Sequence, residues 1–181
     1  MYPRCISIFC AAAAVLSPLA ASTAAEAAKR DKAFFQSVAG NWKGPGEIVA
    51  GKYKGTKFTC DLTGVPQEGN KAGVKLDGTC RVGVFKQPMS AVITEAGRSY
   101  KGKFLDGGAG KGLDIVSGAV SGDKVVLGIN RSKLNGAMIA RLEDDNAMKV
   151  TISVKVEDKM IPVIGVTLNR QVDDIKVGSI E

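Results

Sequence analysis

Cys60 and Cys80 are the side chains of this chain best suited to covalent chemistry, and the partner that most such chemistry requires is missing. The sequence contains no histidine. That removes the commonest general base, the commonest metal ligand and every Ser–His or Cys–His nucleophile. It also removes the usual axial ligand for haem. Tyr53 and Tyr100 could replace it in principle, but tyrosines on basic strands ordinarily pack at an interface. Asp144 and Asp145, like Asp173 and Asp174, are adjacent carboxylates. Neighbours on a strand point to opposite faces, and at turns such pairs are solvated, so neither makes an acid–base pair. Calcium would need more oxygens than these segments supply. The glycine-rich stretch "DGGAGKG" ends in Gly-Lys-Gly, not in the Gly-Lys-Ser/Thr of a phosphate loop, and reads as a hairpin connection. The expectation is a non-enzyme without cofactor or metal.

The fate of the cysteines depends on compartment. Arg4 followed by "CISIFCAAAAVLSPLA" has the charge and short apolar run of an export signal, and "ASTAAEAAKR" offers small-residue cleavage sites after Ala25 or Ala27. The run is too short and alanine-rich to be read as a membrane span. We therefore assign 1–27 to a signal peptide, 28–39 to a short helical lead-in, 40–171 to one β-barrel domain and 172–181 to a tail. The product is expected in the periplasm or outside the cell, not spanning the membrane. With Cys5 and Cys10 removed, Cys60 and Cys80 form an even pair in an oxidising compartment, which predicts a disulfide. A hairpin centred on Asn70 sets positions 60 and 80 opposite one another. Directly opposed strand residues lie about 4.5–5.5 Å apart, within disulfide range. A redox pair would have closer spacing.

The elements that must position these groups are strands. In "AMKVTISVKVE", Met148, Val150, Ile152, Val154 and Val156 alternate with polar residues, the pattern of a strand with one wet face. Turn signals such as "QEGN", "SGD", "LNGA" and "EDDN" separate strands over roughly 42–50, 53–63, 72–83, 85–95, 98–105, 113–120, 124–131, 136–143, 147–157 and 160–170. Short connections make sequential neighbours pair antiparallel. Closing such a meander removes its two exposed edges, so the predicted class is all-β: an up-and-down barrel of about 8–10 strands. Its one helix, within "RDKAFFQSVAG", is expected to cover an end of the barrel with Phe34 and Phe35.

"FFQSVAGNW" then resembles the start of the calycin barrels: lipocalins, fatty-acid-binding proteins and their bacterial relatives. The resemblance implies that Gly40 and Trp42 close the bottom of the barrel, with Arg170 of "VTLNRQ" stacked on the indole. Parity agrees, since Ile164, Val166, Leu168 and Arg170 share one face. An ordinary core tryptophan in another β-sandwich is the alternative. "AGNW", "CDLTG" and "GTCRVGVF" are also similar to small secreted metalloprotease inhibitors, which are eight-stranded barrels with one early disulfide.

Two functions follow as expectations. The first is a non-catalytic lipocalin-like protein holding a small apolar or amphipathic ligand. Its lining would include Met89, Val92 or Ile93, Leu127, Ile129, Met138, Val150, Ile152, Val154, Ile164 and Val166, unless these side chains simply fill the barrel. The second is a protein-binding barrel that inhibits a secreted hydrolase or supports envelope integrity. The net charge of +7 suggests a third contact. Lys52, Tyr53, Lys54, Tyr100 and Lys101, with Lys43, Lys57, Lys103 and Lys111, could form one basic face for an anionic envelope component, or serve only to solubilise. Nucleic acid is not expected, since no recognition motif is present.

Overall fold

The computed structural model describes residues 21–105 and 112–171. Most of the expected export signal, residues 106–111 with Lys111, and the expected tail with Asp173 and Asp174 lie outside the described residues. Helix α1 (Ala21–Ser37) leads into ten strands: β1 (Gly40–Ile48), β2 (Lys57–Pro66), β3 (Gly73–Val82), β4 (Phe85–Ala96), β5 (Ser99–Leu105), β6 (Leu113–Ser121), β7 (Lys124–Arg131), β8 (Leu134–Leu142), β9 (Ala147–Val156) and β10 (Lys159–Gln171). Every strand pairs antiparallel with its neighbours in sequence, and β1 pairs with β10, so the sheet closes into a barrel without a free edge.

Two boundaries differ from the sequence expectation by more than three residues. The helix begins earlier than 28, because "ASTAAEAAK" is rich in good helix formers. The second strand starts at Lys57, not at 53. Gly51 and Gly55 both adopt positive φ, so the chain between them turns instead of extending. Among the described residues no helix is long and apolar enough to cross a membrane.

Closure is built at the start of β1. Asn41, Trp42 and Lys43 pair with Gln171, Arg170 and Asn169. Directly opposed residues of an antiparallel pair point to the same face, so the inward Trp42 brings Arg170 with it. Trp42 is fully buried, and its Nε1 donates to the Val38 carbonyl at 2.9 Å. The Arg170 guanidinium lies 4.3 Å from the indole ring centroid. It also donates to the carbonyls of Ala39, Ser37 (2.7 Å) and Asp145 (2.8 Å), tying β10 to the end of the helix and to the β8–β9 turn. Gly40 has φ +112°, and a Cβ there would stand 2.6 Å from Arg170 Nη1. Any other residue would push the guanidinium off its carbonyls. At Gly44, a Cβ would collide with the Thr167 carbonyl on β10. Close approach of the two backbones at the seam thus requires a glycine two residues after the tryptophan.

The helix seals the same end. Phe34, Phe35 and Val38 are buried, and the two phenyl rings meet edge to face at 5.4 Å. Tyr100 at the start of β5 packs its ring 5.2 Å from Phe35 and donates its hydroxyl to Asp31 Oδ2 at 2.7 Å. These contacts lie beyond both expected cleavage sites, so a chain cut after Ala27 retains them.

Cys60 and Cys80 are cross-strand partners joined by a disulfide, with α-carbons 4.0 Å apart. The bond closes a loop of 20 residues. Replacing both cysteines by alanine is expected to lower stability by about 3 kcal/mol, read as a lower denaturant midpoint with a somewhat steeper slope, since the unlinked unfolded chain is less compact.

Candidate functional site: an apolar cavity with a cationic mouth

Ten strands enclose more room than eight, and the inward side chains do not fill it. A cavity of 610 Å³ runs along the barrel. This is within the span of about 300–1,000 Å³ typical of small-molecule sites. Its floor is Trp42, Phe34, Phe35 and Val38. Met89, Ile93, Leu127, Ile129, Met138, Val150, Ile152, Val154, Ile164 and Val166 all line it, because each lies on the inward parity of its strand. Val92 has the opposite parity and is exposed. The disulfide also forms part of the wall, through both cysteines.

Sequence reasoning missed the polar part of the lining. Lys86, Gln87, Ser90, Arg131 and Asn135 are the polar residues that border the cavity. Gln87 and Arg131, near the start of β4 and at the end of β7, turn their side chains inward at the mouth, whereas Lys86, Ser90 and Asn135 lie on the outward parity of their strands. Parity could have revealed two of them. Arg131 continues the inward row Val125, Leu127, Ile129, and Gln87 precedes the inward row Met89, Ala91, Ile93. Arg131 is held in place by donating its Nε to the Gly112 carbonyl at 2.9 Å. No carboxylate lines the cavity among the described residues. Among the described residues the site is thus an oily tube with one inward charged side chain, the Arg131 cation at its entrance, and Lys86 on the outer side of the same rim.

The expected basic face does not exist as one surface. Lys52, Tyr53 and Lys54 lie on the β1–β2 connection at the mouth, where Tyr53 is exposed and Lys52 Nζ sits 5.4 Å from its ring centroid. Tyr100 is buried at the opposite, closed end, while Lys101 beside it points outward. The similar stretches "YKGTKF" and "YKGKF" differ by Thr56, and that insertion changes which residues share a face.

Burial raises the Tyr100 phenol far above its ordinary range, and the bond to Asp31 adds to this. The folded state therefore keeps a proton that the unfolded chain releases near pH 10, so this contribution is complete below about pH 10 and is lost as pH rises beyond it. Tyr100→Phe leaves Asp31, whose Oδ1 already lacks a hydrogen-bond partner, without its donor. The expected cost is about 1–3 kcal/mol at neutral pH, with a shallower loss of stability above pH 10 in denaturation curves.

No protein-family model matches the chain, and no curated protein matches it. Among solved structures it is similar to the crystal structure of Rv2717c from M. tuberculosis, at 12% identity and a TM-score of 0.58, over 78% of this chain and 98% of that one. At this identity the likeness is one of fold: the antiparallel barrel is shared, and no residue role passes with it. The ten strands also exceed the eight of the secreted inhibitor barrels.

Proposed function

We propose that this protein is a non-catalytic carrier of an amphipathic molecule with an apolar tail and an anionic head, acting outside the cytoplasm. The observation that supports it is the segregation along the barrel: apolar inside from Trp42 upward, with Arg131 turned inward and Lys86 outward at the rim of the mouth. A tail buried in such a cavity gains about 0.8 kcal/mol per methylene, while the head group meets opposite charge at the mouth, where water also solvates it. The disulfide and the export-signal composition of the first 27 residues support an extracytoplasmic, periplasmic location. The lipocalin-like reading rests on the same features, namely the first-strand Gly40 and Trp42 and the stacked Arg170.

Native mass spectrometry of the purified protein, followed by titration with a long-chain fatty acid and the alcohol of equal length, tests this reading. One molecule of acid per barrel is expected, with the alcohol weaker, and Lys86→Ala/Arg131→Ala should erase the difference between them. Saturation by neither compound would refute the carrier reading.

A further inference from the structure

The two ends of the barrel carry different surfaces. At the closed end the connections are polar and mainly acidic, with Glu68, Asp123, Glu143, Asp144 and Asp145 against Lys71 and Arg98. At the mouth the described connections between β1 and β2, β3 and β4, β7 and β8, and β9 and β10 contain only two acidic residues, Glu157 and Asp158. Asp158 lies 3.8 Å from Lys155. The mouth is also where large apolar side chains face water. The β3–β4 hairpin projects Val84 and Phe85, 88% and 77% exposed, with Arg81 and Lys86 on either side. The same pairing recurs on the next connections: Leu134 follows Lys133, and Met160 follows Lys159, both apolar groups being exposed.

Apolar tips flanked by cations on one end of a molecule are poorly matched to water. They match the boundary of an anionic bilayer, where apolar side chains enter below the head groups and lysines remain among the phosphates. We propose that the mouth rim is a docking surface for an anionic lipid bilayer, with the tip of the β3–β4 hairpin inserted in the head-group layer. The barrel then stands with its opening against the membrane and its helix-capped end turned away. Docking supplies the route by which a lipid-derived ligand enters the cavity, and in that sense the inference builds on the carrier reading. Its geometry does not depend on it.

Co-sedimentation with vesicles tests the docking directly. The full chain is expected to bind vesicles of phosphatidylglycerol and phosphatidylcholine, to bind pure phosphatidylcholine much less, and to release partly at high salt. Val84→Asp/Met160→Asp alters two exposed rim residues that do not line the cavity. It should weaken binding to the anionic vesicles by roughly tenfold or more, while uptake of fatty acid in solution is unchanged. Equal binding by the parent and this variant, or no preference for anionic vesicles, overturns the proposal. So does a parent protein that ignores vesicles but forms a dimer abolished by the same substitutions, since the rim would then be covered by a second copy. Vesicle binding without fatty-acid uptake leaves the docking surface standing and removes the carrier function instead.

Discussion

Trp42→Ala is expected to destabilise the protein by about 4 kcal/mol, the largest loss of any single truncation in the barrel. The indole is wholly buried, forms the cavity floor, and joins the helix to the seam through Val38. Trp42→Phe keeps most of the apolar contact and loses one hydrogen bond, so about half that cost is expected. Arg170→Ala removes a guanidinium that satisfies three carbonyls on two separate segments, and is expected to cost about 2–3 kcal/mol. The double variant should be less damaging than the two losses added together, by about 0.5–2 kcal/mol, because the stacking contact is lost in either single variant. Urea denaturation of the four proteins measures this coupling. Strict additivity would mean that the stack contributes nothing and that the guanidinium acts only through its carbonyls.

The second large effect concerns binding. Ala91 and Ala140 line the cavity from β4 and β8, which stand nearly opposite one another in the ring of strands. Ala91→Phe/Ala140→Phe places two rings in the open space. Since that space is not filled by protein, the fold should tolerate them, with a stability change within about 1–3 kcal/mol. Affinity for a long-chain acid should fall by roughly tenfold or more, as the tail loses its volume. Calorimetry and fatty-acid titration on the same preparation separate the two effects.

Much of this architecture is legible in the chain because β-structure advertises itself by alternation. Met148 to Val156 shows the inward row of β9 directly, and the cross-strand position of Cys60 and Cys80 follows from the turn at Asn70. Trp42 and Arg170 could be paired before the structure through the calycin resemblance, with which the parity of Ile164, Val166, Leu168 and Arg170 agrees. The barrel's emptiness was not legible. Whether aliphatic side chains fill a tube or line it depends on strand number, and β1 and β10 had to be seen in register to count ten around the ring. The basic face failed for a local reason. Tyr100 and Phe104 stand four residues apart on one strand and share its inner face, whereas Tyr53 and Phe58 are five apart with a turn between them. The polar ring at the mouth escaped because lysine and arginine on strands are habitually read as solvent-facing. Following the inward rows to their ends would have placed Arg131 and Gln87.

The single tryptophan makes the central claim measurable without a label. Trp42 forms part of the cavity floor, so a fatty acid brominated near its methyl end should quench indole fluorescence as its tail descends. Saturable quenching at one acid per protein is predicted, strongest for bromine near the tail end and abolished in Ala91→Phe/Ala140→Phe. If the folded protein shows no quenching, or quenching that never saturates and survives those substitutions, the interior is not a binding site.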